Sequence, residues 1–298
     1  MAIIVNTNMS ALKTRSNLNN ATNSLNSALE RMSTGYKINS AKDDAAGLYV
    51  ATGLNTQIRG SKVAQNNVTT GSNVLSTVEG DLDTMLDNLN RIRDLANQGA
   101  NGVYDESAQQ AMLSEVNARL DEIDRVSKAS NFNGLKLLDG SNDELKNTGL
   151  RLQVGANAEA EANAIYVKDV FNETNSETLG TDNGDDTMGA MNLRDAAAQA
   201  FTAASMAARY LKVVDKAIDT ISTNKSTIGA AQNRLDSAAA SLVTTIENAT
   251  AAKSTIMDAD IAEESAEYTK QQILQQTSAA LLVQANQLPS LAINLVQG

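Results

Sequence analysis

Three groups of carboxylates are the residues here whose types and spacing could do chemistry. Asp182-Asn183-Gly184-Asp185-Asp186 offers oxygen ligands of the kind that hold calcium. It lacks the twelve-residue spacing and closing Glu of a calcium loop, so it reads as a solvated loop. Asp43-Asp44, and Asp81 with Asp83, have the proximity of acid–base pairs, but they read as solvated helix faces. The chain contains no His and no Cys, which removes the usual general bases, thiol nucleophiles and most metal sites. No nucleophile elbow or phosphate loop is present either, so an enzyme has no positive support. Asn67-Val68-Thr69 has the form of a glycosylation triplet, which chance produces readily in a chain rich in Asn and Thr.

One further set invites a binding reading. Arg91 and Leu95 sit one helical turn apart, and Glu115 belongs to the next helical segment. The expectation is that all three face outward, with Arg91 and Glu115 forming an ion pair and Leu95 adding an apolar contact.

What must position these residues is a comb of apolar side chains. Leu75, Val78, Leu82, Met85, Leu89, Ile92 and Ala96 alternate steps of three and four, so they share one helical stripe. Leu54 and Val68 keep the same frame. From Ser72 to Gln98 the helix would be about 40 Å long. A stripe this narrow needs partner helices, because one helix cannot shield it.

Composition agrees. The 298 residues are 42% hydrophobic but only 3% aromatic, with no Trp and a single proline, Pro289. Leu, Ile, Val, Met and Ala dominate, as in extended helical packing. A net charge of −11, from 24 basic and 35 acidic residues, argues against nucleic acid and anionic membranes as partners. No cleavable signal peptide is legible at Met1 to Met9, and no stretch approaches a spanning helix.

Taken in order, residues 1–34 read as helix with Leu18, Leu25 and Met32 at heptad spacing. A break falls near Gly35, and a connector leads to a helix resuming near Leu54. Gln98 to Gly102 ends that helix. A second helix, from about Glu106 to Lys128, folds back against it with Met112, Val116, Leu120 and Ile123. From Phe132 to Met191 the pattern shifts to short strands or hairpins, with Asn172 to Asp186 a polar surface loop. Helix returns from about Asn192 to Ile256, where Leu211, Val214, Ile218, Ile221, Ile228, Leu235, Leu242 and Ile246 form a seam. Lys225 and Gln232 interrupt it, which costs stability and can set register. Asp258 to Glu267 reads as a joint, and Leu274, Leu281, Leu288 and Leu295 repeat at exact heptads in the last segment. The fold class is therefore mainly α: a long antiparallel helical bundle or coiled-coil rod with a small β-hairpin insert. Both ends are thin-striped and rich in Asn, Gln, Ser and Thr, so they are expected to order only on assembly, while 54–130 with 192–255 holds alone.

Ordered blocks along the chain resemble bacterial flagellin. They are Met1 to Asn8, Leu29-Glu30-Arg31-Met32-Ser33-Thr34-Gly35, Ile38 to Gly47, Leu89 to Ala96, Glu122 to Val126, Phe132-Asn133-Gly134, Ala285 to Ser290 and the closing Leu291 to Gly298. The resemblance implies terminal helices paired in a filament core, through Leu18, Leu25, Met32, Leu274, Leu281, Leu288 and Leu295. It divides the chain into 1–45 and 256–298, the two halves of an inner-core domain, and 46–170 with 192–255, the helical shell. Residues 171–191 form a short loop in place of the family's variable outer domain. It further implies self-assembly into a swimming filament outside the cell, export without a cleaved signal peptide, and no cofactor. The implied partners are an export chaperone on residues 256–298, a filament cap and hook–filament junction proteins. Positions matching Arg91, Leu95 and Glu115 serve subunit packing in the family and are recognised by the flagellin-sensing Toll-like receptor. A hook–filament junction-type axial protein, or another secreted helical assembly protein, is the alternative.

Overall fold

The computed structural model describes residues 7–157, 163–179, 192–200 and 204–297, with 204–208 and 288–297 described in backbone alone. Contacts divide the chain into two compact units, Met1–Ile58 with Glu247–Gly298, and Arg59–Ile246.

In the first unit, α1 (Met9–Thr34) starts where the Asn8 side chain accepts from the Ala11 N–H at 3.0 Å. It stops at Gly35, whose φ of 74° suits a left-handed cap, with the Gly35 N–H donating to Arg31 O at 2.8 Å. The connector is shorter than the sequence reading expected, because α2 (Ala45–Gly99) begins nine residues before Leu54. Asp44 makes this possible: its Oδ1 accepts from the Ala46 and Gly47 N–H groups at 3.0 and 2.9 Å. Gly47 lets the turn close tightly, since a Cβ would meet the side-chain ends of Asp44 and the buried Ile38.

The expected joint at Asp258 to Glu267 is also shorter. Only residues 258–260 separate α6 (Ala204–Met257) from α7 (Ile261–Gln297), and Asp260 caps the new helix by accepting from Ala262 N–H at 2.8 Å. The two interruptions are clipped together. Lys37 N–H donates to Met257 O at 2.6 Å and Ala259 N–H to Gly35 O at 2.9 Å, around an antiparallel bridge between Tyr36 and Asp258. Helices α1 and α7 then run antiparallel, tied by Arg31 to Glu264, Thr22 to Gln275 and Asn8 to Ala285.

The second unit holds the main core. Every member of the comb from Leu75 to Ala96 is buried, together with Met112, Val116, Leu120 and Ile123 of α3 (Glu106–Ala129) and Val214, Ala217, Ile221, Ile228, Leu235 and Leu242 of α6. Each buried Leu or Ile there contributes about 1.5–3 kcal/mol relative to exposure. Helix α3 begins at an Asp105 cap and lies antiparallel to α2, and so does α6.

The insert is built from β1 (Asn131–Phe132) and β2 (Leu135–Lys136), α4 (Asp143–Thr148), then β3 (Leu150–Gln153) paired with β4 (Ala164–Val167). The sequence reading foresaw hairpins but not α4, whose Asn142 cap accepts from Glu144 and Leu145 N–H groups. Leu152 of β3 packs so closely on α2 that a Cβ at Gly71 would lie 2.7 Å from its Cδ1.

The expected surface loop from Asn172 is corrected over its described part. Phe171, Thr174, Ser176 and Leu179 are buried, which anchors the segment in the core, while Asn172, Glu173, Glu177 and Thr178 stay exposed. Asp124 of α3 draws it in, accepting from the Ser176 N–H at 2.7 Å and Oγ at 2.9 Å. Helix α5 (Leu193–Ala200) follows and buries Leu193, Ala196, Ala197 and Ala200.

Candidate contact surfaces

Antiparallel packing of α2 and α3 brings Arg91 and Glu115 together. Arg91 Nε donates to Oε1 at 2.8 Å and Nη2 to Oε2 at 3.2 Å, a two-pronged pair. Arg119, one turn along α3, stands 3.8 Å from the same carboxylate. The Arg91 hydrogen bond holds Glu115 below the ordinary carboxylate value, and Glu115 in turn pushes Arg91 up. Both side chains remain well exposed, so the pair is available to a partner.

Leu95 does not join them at the surface. It is 2% exposed, contrary to the outward placement expected from the sequence. Helix α2 is flanked by α3 through Arg91–Glu115 and by α6 through Arg93–Asp215, so a position beside the comb is covered too.

On the paired terminal helices, Leu18, Leu25 and Met32 are half-buried along the α1 seam, where Ala21 and Ala28 are fully buried. Leu274 and Leu281 of α7 lie elsewhere. The α7 residues turned toward α1 include Glu264, Gln275 and Ala285, while Leu274 and Leu281 are 44% and 51% exposed. A helix repeats every 3.6 residues, so Leu274 sits about 100° from Gln275 and faces away from the seam. The side chains of Leu288 and Leu295 lie outside those described. Leu12, Leu29 and Ile273 add to the exposed apolar surface of these two helices.

The carboxylates weighed for acid–base work have structural partners. Asp43 Oδ2 accepts from Ser40 Oγ and N–H, both at 2.9 Å, and from the Asn39 N–H, which holds its pKa down. Asp44 caps α2, Asp81 accepts from Ser130 Oγ at 2.6 Å, and Asp83 meets Lys225. The Asp182–Asp186 loop lies outside the described residues.

Sequence reasoning missed the joint of α3, α5 and the 170–179 segment. Arg194 Nη2 donates to Asp121 Oδ1 and Asp124 Oδ2, each at 2.8 Å, and Asp124 also holds Ser176. The acidic partners push the Arg194 guanidinium up in pKa. Only Arg194 near the start of a helix and acids on the outer face of α3 hinted at it; seventy intervening residues hid the pairing.

Polar groups that pin helices and leucines that face away from their own seam define a structural helical subunit built to meet other surfaces. Among the described residues no helix is long and apolar enough to cross a membrane. Residues 5–143 match the bacterial flagellin N-terminal helical region, and 211–296 match the bacterial flagellin C-terminal helical region. The chain is 36% identical to a flagellin of Bacillus subtilis, covering 98% of this chain and 99% of that one. It is 31% identical to flagellin D of Vibrio cholerae, over 99% and 100%, and 33% identical to a flagellar filament core protein of Brachyspira hyodysenteriae, again over 99% and 100%. The chain belongs to the bacterial flagellin family, whose members are the structural, non-enzymatic subunits of the flagellar filament.

Proposed function

We propose that this flagellin polymerises through two surfaces, the outward face of α7 and the Arg91–Glu115 face of α2 and α3. The observation that carries this reading is the exposure of Leu274 and Leu281 on a helix that is already paired along another face. A second copy of the chain is their occupant, because repeated heterologous contacts along an axis build a tube. Leu95 supports the second surface from beneath, holding the turn of α2 that presents Arg91. In the unassembled subunit the same face is what a flagellin-sensing Toll-like receptor meets.

Among the described residues the seam between α1 and α7 buries few side chains, the fully buried ones being alanines, so the pair is marginal by itself. The described parts of 1–34 and 256–298 accordingly gain their stable order on assembly. Before that, an export chaperone covers 256–298, and a filament cap receives the subunit outside the cell. Hook–filament junction proteins offer the first copies a matching surface.

The experiment is Leu274→Ser with Leu281→Ser. Seeded assembly followed by electron microscopy is expected to give no tubes, while the thermal transition of the 59–246 unit stays in place. Hydrogen exchange on unaltered protein should protect both ends in filaments and neither in monomers. Normal tubes from the double variant would overturn the reading, as would monomer protection of 256–298.

A further inference from the structure

Two Asn–Gly pairs lie among the described residues, and the fold holds them in opposite ways. Asn133–Gly134 is the two-residue loop of the β1–β2 hairpin, with Phe132 paired to Leu135. Both residues have positive φ, 50° and 82°, the signature of a type I′ turn locked by the strands it joins. Asn101–Gly102 lies in the exposed link between α2 and α3, with neither residue in the left-handed region. Its backbone ties are Asn101 N–H to Gln98 O at 3.2 Å and Val103 N–H to Asn101 O at 2.8 Å. The Gly102 N–H has no acceptor among the described residues.

We infer that Asn101 is a self-modifying site that converts to aspartate and isoaspartate without an enzyme, whereas Asn133 is protected by its turn. The Gly102 amide nitrogen gives up its proton to solvent base and attacks Asn101 Cγ. A C–N bond forms, the side-chain carboxamide C–N bond breaks, and ammonia leaves, giving a five-membered succinimide. Water then opens one of its two carbonyls. Opening at the backbone carbonyl carries the main chain through Cγ and gives isoaspartate; opening at Cγ gives aspartate. One water enters and one ammonia departs, with no change of oxidation state.

The attack requires the following amide nitrogen to swing over Cγ of the asparagine. Gly102 has no Cβ to obstruct that approach, and no hydrogen bond holds its N–H back. At Asn133 the same swing would take both turn residues out of the left-handed region and part Phe132 from Leu135. Either product leaves the loop one charge more negative, four residues before the Asp105 cap of α3.

The test is a time course of the purified full-length monomer in mildly alkaline buffer, read by peptide mass mapping, where each conversion adds about 1 Da. Asn101 is expected to convert at least about tenfold faster than Asn133 while the protein is folded. In denaturant the two rates should converge. Gly102→Ala should slow Asn101 by about tenfold and leave Asn133 unchanged, because the added Cβ crowds the approach. The third pair, Asn183–Gly184, lies outside the described residues and is scored as its own peptide. Equal rates in the folded protein, a faster Asn133, no conversion at Asn101, or a gap that persists in denaturant would each overturn the inference.

Discussion

Gln232 of α6 donates through Nε2 to Glu79 Oε2 of α2 at 3.0 Å, two turns along α6 from where Lys225 meets Asp83. The two polar interruptions of the α6 seam therefore both have acidic partners on one face of α2, and Arg93 with Asp215 extends the row at 2.5 Å. Asp83, then Glu79 and Asp87, act on Lys225, raising its pKa. The row specifies which turn of α6 lies against which turn of α2.

Replacing the interruptions tests that role. Lys225→Leu with Gln232→Leu extends an apolar seam that is already buried on either side at Ile221, Ile228 and Leu235. Partly exposed ion pairs stabilise little, so the monomer melting temperature is expected to rise by a few degrees. Loss of the polar register should alter filament waveform in electron micrographs. A stabilised variant with unaltered waveform would show that the row is incidental.

Glycines make a paired prediction. Gly80 lies inside α2 with nothing within 4 Å of where a Cβ would stand, so Gly80→Ala should stabilise the monomer by about 0.5–1 kcal/mol. Gly149 has φ +79°, and a Cβ would strike the Val167 carbonyl oxygen across the β3–β4 pair. Gly149→Ala should cost about 1–3 kcal/mol. Denaturant melts read both, and a shift of the same sign in the two variants would contradict the packing described.

Arg194→Met removes the ties from α5 to Ser176 and to Asp121 and Asp124 of α3, leaving Ser176 held by Asp124 alone. Arg194 and Asp121 are partly in solvent, so the loss is set at about 1 kcal/mol. The sharper readout is hydrogen exchange, where amides of 170–179 should open first while the comb of α2 stays protected. Uniform loss of protection across the unit would argue that the link is not local.

Below neutrality, stability should fall only as the carboxylate range is reached. Asp43, Asp105, Glu115, Glu122 and Glu267 are each held below their ordinary values, chiefly by hydrogen bonds from Ser40, Ser107, Arg91, Arg125 and Gln271 respectively. A carboxylate depressed in the folded state contributes above its unfolded pKa and loses that contribution as pH drops through the folded value. The window therefore opens near the ordinary values of 3.8 for Asp and 4.5 for Glu and extends below them. With no His in the chain, the melting temperature should stay flat from neutrality down to that range. These groups are solvent-exposed, so the slope should be shallow and shallower in salt. A drop in melting temperature well above the carboxylate range would need another cause.

The sequence by itself determined the elements that rest on local periodicity. The comb from Leu75 to Ala96 is buried as its steps of three and four require, and α3 ends at Ala129, one residue past the Lys128 expected. Absent His and Cys, the charge balance and the flagellin-like blocks were equally legible, because each is a property of residues in order. Tertiary structure decided what depends on a distant partner. Leu95 is covered because α3 and α6 both flank α2, and Ser176 is buried because Asp124 waits on α3, 52 residues earlier. Leu274 and Leu281 keep perfect heptads yet face away from α1, since Thr22 and Arg31 set the seam on Gln275 and Glu264 instead. Periodicity says that a helix has an apolar stripe; which neighbour the stripe meets is fixed by the competing polar and steric contacts of the other faces, and those exist only once the chain has folded.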